Sequence, residues 1–577
     1  LASAGMRRVF DISPDGCGGH VLRALFQANG HRVARAAPGD LAEDIAWSMA
    51  TGRPPLQRWS RARLFTGLWR QAPWWRPPLE MWRAVDYLKA QFPNAVFVLT
   101  VPNMQRWLLH RLTAADGLTL RAYANHLQVD EEALPDLWVK GFQDHLDHVQ
   151  STFGDGDGLI RIDMTCQHPR ALAEALHPFV RLPRRPRLFW SDGHDPLGQR
   201  IGDLAENLPA DPLPMNEDFV ADVADFCLKG LDPRGDRRAS LSHLSAFWGG
   251  GDAVVGARGH ARPLCVARLP GHDRDIALTA PDAAAKHRRA EGVINDILGL
   301  GRRDPVLIDM EDSRWVGSPQ GAVQDQPTLC HNRRMGARNM VLFPLSGHYG
   351  PGYPGFDPNG SGDRIAFEDK ADRLVWRGMI SGSERREGIR PGPASHSFLR
   401  RLARAGDDPD ARQAAWQGLC RTSRLAVVRR FWEDPDYDMR VVMAWGFRDH
   451  AADPLLAPYC DERQPAGFFH GFRYQLCMAG YDHGSNFIPA INSNSVLLKE
   501  EDGWEVFYSG RFKPWKHYIP VERYCDDLPQ KLKWARENPL ECMRMSENAR
   551  AEVRLLSDRG LIAAVKARIL DGLAQAR

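Results

Sequence analysis

Short strand-like apolar runs separated by helix-length amphipathic stretches constrain this chain more than any other feature. Val9 to Ile12, Val96 to Val101 and Leu159 to Met164 punctuate the first third. The stretch after the first run places Val21, Leu22, Leu25 and Phe26 on one helical face. Strands that alternate with helices are joined by crossovers and build parallel sheets, so the expected class is α/β. The 577 residues predict about three or four modules at roughly 150 residues each.

Composition narrows the function classes. Hydrophobic residues make up 43% and charged residues 25%, the usage of a globular protein with large buried cores. Lys+Arg 75 against Asp+Glu 72 leaves a net charge of +3, which excludes wholesale coating of nucleic acid, and none is expected as a partner. The ten cysteines lie between Cys17 and Cys542 without a CxxC pair, so neither a zinc ribbon nor a secreted disulfide framework is indicated. No apolar run reaches the roughly 18 to 20 residues of a membrane span, and no basic-then-apolar secretion signal opens the chain. The expectation is a cytoplasmic protein with at most peripheral contact at an inner membrane. Leu1 to Gly5 precede Met6 and read as a tag remnant.

The first strand runs into Asp15-Gly16-Cys17-Gly18-Gly19 and then a helix. Such a loop either presents free N–H groups to a phosphate or sulfate, or simply turns the chain. Over residues 6–180 the layout resembles the sulfotransferase fold, with Phe97-Val98-Leu99-Thr100-Val101 and Trp107 similar to its second signature strand. That family places a lysine in the first loop and an arginine after the second strand. Here the loop reads Pro14-Asp15-Gly16-Cys17-Gly18-Gly19-His20, and Pro102-Asn103 follow the strand. The resemblance therefore implies a non-catalytic domain, and His20, which in principle could act as a base, is more often a surface or packing residue in such a position. Residues 181–187, Arg-Leu-Pro-Arg-Arg-Pro-Arg, look like a linker, either a solvated connector or a contact for anionic lipid. A linker and helical connector are expected over 181–254.

The later half carries the chemistry. Pro305 to Met310 reads as a buried strand, and Asp312 follows at its carboxyl end, where open α/β sheets place ligands and where an aspartate also caps helices. A strand over Arg373 to Trp376 leads into Arg377-Gly378 and Ser381-Gly382-Ser383, where an arginine can clasp a diphosphate while glycine and serine let the backbone approach. Phe472 to Gly480 reads as a strand, and Tyr481-Asp482-His483-Gly484-Ser485-Asn486-Phe487 opens a helix to about Ser493. Strands over Ser495 to Lys499 and Trp504 to Tyr508 follow. Strand, polar helix start, strand and acidic loop make a nucleotide half-site, with Glu505 able to accept from ribose hydroxyls.

The order Trp376-Arg377-Gly378, Asn492-Ser493-Asn494-Ser495, Glu505-Val506-Phe507-Tyr508 and Lys513-Pro514-Trp515-Lys516-His517-Tyr518 resembles glycosyltransferase family 90 over roughly residues 255–577. That family contains protein O-glucosyltransferases, fungal capsule xylosyltransferases and bacterial lipopolysaccharide glycosyltransferases. The resemblance implies a GT-B architecture of two Rossmann-like halves, an acceptor half over 255–410 and a nucleotide-sugar half over 411–577, preceded by the sulfotransferase-like α/β domain. It implies inverting transfer without an obligatory metal or other cofactor, from a UDP-sugar carrying glucose or xylose. The acceptor implied is a glycan or lipid-linked saccharide of a bacterial surface polysaccharide. Asp312 matches the family's general base and Arg377 its phosphate arginine. Gly378, Ser381, Gly484, Ser485, Asn486, Ser495 and Glu505 complete the expected donor site. Asn486 stands where eukaryotic members carry a second arginine, which favours the bacterial branch. His348 and Tyr349 either line the acceptor groove or pack. An alternative is a bifunctional protein whose first domain sulfates the same glycan.

Overall fold

The computed structural model describes residues 7–576 apart from 35, 71–74, 116, 155–157, 191–210, 233–245, 257–262, 282, 284, 352, 354, 359, 361 and 387–391; the tag expected at 1–5 lies outside them. The chain forms two compact units, Leu1–Pro209 with Leu244–Pro305, and Ala210–His243 with Val306–Arg577.

In the first unit the three expected strands pair in one parallel sheet, Val9–Asp11 against Val96–Val101 and Val96–Val101 against Leu159–Asp163. A two-residue strand, Leu64–Phe65, adds to the free edge of Val9–Asp11. It is too short to leave a periodic signal. The helix Gly19–Ala28 follows the glycine loop and buries Val21, Leu22, Leu25 and Phe26, the face its spacing dictated. The stretch 181–187 is not a free connector. Leu182 and Leu188 are buried among the strands and the helix Arg170–Leu176, and the Arg184 N–H donates to Asn29 Oδ1 at 2.7 Å.

The expected boundary at 255 gives way for a visible reason. Four strands between Ala246 and Thr279 pair antiparallel, and Cys265, Leu269, Ile276 and Leu278 share one apolar cluster with Phe10, Trp82 and Phe97. The helix Ala285–Gly299 also carries Glu291, which receives Arg76 bidentately with both contacts at 2.9 Å. Residues up to Pro305 thus complete the first unit. Among the described residues, no helix is long and apolar enough to cross a membrane.

The second unit is built on a six-stranded parallel sheet: β1 Ala371–Met379, β2 Tyr437–Val442, β3 Cys460–Asp461, β4 Phe472–Cys477, β5 Val496–Glu500 and β6 Ile519–Val521. Their spatial order is β3-β2-β1-β4-β5-β6, with every pairing parallel. The strands buried on both faces, such as Val496 to Glu500, read as near-continuous apolar runs in the sequence for that reason. The divide expected at 410 therefore does not separate the sheets, because β1 lies at the centre of the sheet that the later residues complete. A second parallel trio, Val306–Ile308, Thr328–Cys330 and Met340–Leu342, belongs to the same unit.

Candidate functional site

In a sheet of order 3-2-1-4-5-6 the connections leave strands 1 and 4 toward opposite sides, and a crevice opens at their carboxyl ends. Here those strands are β1 and β4. A pocket of about 430 Å3 lies there, walled by Ser383 and Glu384 after β1 and by Ala479, Gly480 and Tyr481 after β4. Arg424 holds the two strand ends together. From the helix Ser423–Phe431 it donates to the carbonyls of Met379, Met478 and Ala479 at 2.9 to 3.1 Å, and to Ser381 Oγ at 2.6 Å. Gly480 is required beside it, since a Cβ there would lie 2.5 Å from Ser381 Oγ.

The floor is acidic and one wall is aromatic and cationic. Glu500, at the carboxyl end of β5, accepts from the Ala479 and Tyr524 N–H groups at 2.9 and 2.7 Å. Burial, reinforced by Asp502, raises its pKa to about 6. Asp502 accepts from the Trp504 N–H at 2.7 Å and is likewise pushed up by burial. The Arg334 guanidinium lies 4.9 Å from the ring centres of both Trp315 and Trp504 and donates to the Asp502 carbonyl at 2.6 Å. Its Nε has no hydrogen-bond partner, and burial lowers its pKa. Gly503 has φ +74°, and a side chain there would meet this guanidinium. Such a pocket offers flat faces for a base, carboxylates for ribose hydroxyls and a guanidinium for phosphate.

Beside it stands a second cluster. Asp312 follows the strand Val306–Ile308, and the next residue, Ser313, turns the chain with φ +56°. Ser313 donates from Oγ to the Tyr481 carbonyl at 2.7 Å, which ties the Asp312 loop to the loop after β4. The buried Asp309 steadies the turn by pairing with Arg314. His331 is 4% exposed, and its Nε2 lies 3.7 Å from a carboxylate oxygen of Asp312 and 3.7 Å from one of Asp482. Ser313 and Tyr481 line the pocket, and Asp312 and Asp482 are their chain neighbours, next to the lining but not part of it. Asp312 is not a helix cap, since only turns and irregular chain follow it before the next strand.

None of the expected donor residues lines this pocket. Arg377 is held by Asp438 and Asp461, each at 2.7 Å, and its Nη1 donates to the Trp376 and Asp438 carbonyls. Gly378 leaves room for the Trp376 ring, and Gly484 lets the chain pass the Met478 carbonyl. Ser381 serves Arg424. Asn486 donates to the Leu476 carbonyl at 2.9 Å, and the helix it opens is only Phe487–Ile491, ending short of the expected Ser493. Ser485 is exposed, and Ser495 donates to the Phe472 carbonyl at 2.7 Å. Glu505 is buried and takes Arg333 Nε at 2.8 Å. Of the acceptor candidates, Tyr349 is 7% exposed with its ring 6.4 Å from that of His331, whereas His348 is exposed and lies against Tyr353.

Sequence reading passed over Arg334, Glu500, Asp502, Trp504, His331 and Asp482. One signal was present, because Glu500 closes a strand-like run.

A parallel sheet in this order, with a pocket at its switch point, defines an α/β unit whose cavity lies where such sheets take ligands. Residues 461–556 match the model of Glycosyl transferase family 90, and that segment is related to the family. Protein O-glucosyltransferase 3 of Rattus norvegicus is 32% identical over 90 residues, 15% of this chain and 18% of that protein. The human protein of the same name is 30% identical over 90 residues, again 15% and 18%. Uncharacterized protein 027R of Frog virus 3 (isolate Goorha) is 29% identical over 112 residues, 18% of this chain and 11% of the viral protein. Each match thus spans less than a fifth of either protein.

Proposed function

We propose that the chain is an inverting glycosyltransferase of GT-B build that moves a sugar, glucose or xylose, from its UDP form to a hydroxyl of a bacterial cell-surface polysaccharide or lipopolysaccharide intermediate. One observation carries this reading: the segment related to family 90 supplies Ala479, Gly480, Tyr481, Glu500, Asp502, Trp504, Arg523 and Tyr524 to the pocket at the switch point. The pocket takes the donor. Its carboxylates Glu500 and Asp502 receive the ribose hydroxyls, and Arg334 with Arg523 faces the diphosphate, whose departure needs positive charge rather than a bound metal. Asp312 at the margin takes the proton from the attacking hydroxyl. Asn486 in place of a second arginine supports a bacterial acceptor. The site of action proposed is the cytoplasm, with the acceptor reached at the inner membrane surface.

A panel of nucleotide-sugars tests this, read by nucleotide release and thermal shift, with the activated sulfate donor alongside. One UDP-sugar is expected to be turned over and to raise the melting temperature. The sulfate donor is expected to do neither, because the loop carboxylate of Asp15 already takes the guanidinium of Arg111. Turnover of no nucleotide-sugar would contradict the transferase reading.

A further inference from the structure

One imidazole in the pocket is held by a chain of hydrogen bonds that fixes which of its nitrogens is bare. Ser395 opens the helix Ser395–Ala405, is fully buried, and gives the single hydrogen of its Oγ to the Ile380 carbonyl at 2.8 Å. The Tyr481 hydroxyl lies 3.0 Å from that Oγ, which has no hydrogen left to give, so the phenol is the donor between them. His396 Nδ1 lies 2.9 Å from the same phenolic oxygen, whose one hydrogen is now spent, so Nδ1 carries a hydrogen and donates. Burial, with Arg400 nearby, holds the pKa of this ring below its ordinary value, so the ring is neutral at pH 8. A neutral imidazole has one N–H, and Nε2 therefore keeps its lone pair. Among the described residues none donates to it. His396 and Tyr481 both line the pocket.

We infer that His396 reads the base of the nucleotide, its Nε2 accepting the ring N–H of an imide such as uracil and turning away bases that present a bare ring nitrogen at that place. This deepens the transferase reading and rests on it, since there Glu500 and Asp502 take the ribose, and Arg334 with Arg523 the diphosphate. The base is the part of the nucleotide left to recognise. A ring N–H is a neutral donor, and a neutral acceptor matches it without burying a charge. Cytosine offers a lone pair at the corresponding ring nitrogen, and two facing lone pairs leave both groups unsatisfied. The tautomer makes the choice. An imidazole with its hydrogen on Nε2 would favour cytosine, and the chain from Ile380 through Ser395 and Tyr481 excludes that form.

Calorimetric titration of the full chain at pH 8 with UDP, CDP and N3-methyl-UDP tests this, in wild type and in His396→Asn. The asparagine amide reaches the Nδ1 position and keeps a donor for Tyr481, but has nothing where Nε2 stood. In wild type UDP is expected to bind about tenfold or more tighter than either analogue. In the variant UDP should weaken about tenfold, and the ratio of UDP to CDP affinity should fall toward one. A histidine-selective 15N spectrum of wild type, with His396 assigned by its loss in the variant, should show the hydrogen on Nδ1. An Nε2–H form, CDP binding as tightly as UDP in wild type, an affinity ratio unchanged in the variant, or binding of none of the three nucleotides would each overturn the inference. An unchanged ratio beside turnover of a UDP-sugar sinks the inference alone. Discrimination between the bases without turnover of any nucleotide-sugar would sink the transferase reading and leave the base-reading residue standing.

Discussion

Arg377 and Arg334 divide two jobs that one arginine was expected to do. Arg377 neutralises Asp438 and Asp461 between neighbouring strands, so its loss leaves two carboxylates uncompensated. Arg334 is clamped by two indoles at the pocket with an unpartnered Nε. Arg377→Ala is therefore expected to lower the melting temperature while UDP affinity stays within a factor of about two. Arg334→Ala is expected to weaken UDP by about tenfold or more, the worth of a charge-assisted contact. Calorimetric titration of both variants checks this, and weakened UDP binding in the Arg377 variant alone would return the diphosphate to it.

At the scale of elements, the pocket exists because β1 and β4 are adjacent and their following loops part. Arg424 fixes the distance between those loops through bonds to both. Arg424→Met keeps the apolar stem but drops these bonds, so both melting temperature and UDP affinity should fall together. A fall in stability with affinity intact would show that the loops hold their place without it. The strands themselves were legible in the sequence: apolar runs at Val96, Val306, Val375 and Val496 mark strands because burial on both faces demands continuous hydrophobicity. The same rule singles out Asp312 only as a polar residue in the turn that follows the strand Val306–Ile308. The pocket wall was not legible. Arg334 and Trp504 meet Trp315 through a two-residue antiparallel pairing between segments some 170 positions apart, and local periodicity carries no trace of such a contact. Motif residues such as Glu505 and Ser495 are engaged within the fold, Glu505 by Arg333 and Ser495 by the Phe472 carbonyl, because buried polar side chains take hydrogen-bond partners. The domain boundary near 255 was hidden for a related reason, because the antiparallel strands there bury their apolar faces against residues as early as Phe10.

For the whole molecule, burial sets the response to acid. Burial pushes His145 down to about 4 and His483 down to about 3, and His126, buried against His272, falls well below its ordinary value. Groups with depressed folded values give stability that is full above pH 6.5 and is lost as pH falls, up to about 2 kcal/mol each at pH 5. Asp11 and Glu500, both raised to about 6 by burial, act oppositely and regain stability on acidification, about 1.4 kcal/mol each between pH 6 and 5. The histidines outweigh them. The melting temperature is expected to drop between pH 7 and pH 5 in scanning calorimetry, and an unchanged or rising value would show that these rings charge freely in the folded chain. The central claim is that the pocket binds a nucleotide-sugar while Asp312 at its margin removes the acceptor's proton. Turnover and UDP affinity measured together on wild type and Asp312→Asn test it most directly. Turnover should fall by at least about 100-fold with UDP affinity and melting temperature unchanged, since asparagine keeps the size and loses the basicity. Near-native turnover in the asparagine variant would contradict the account.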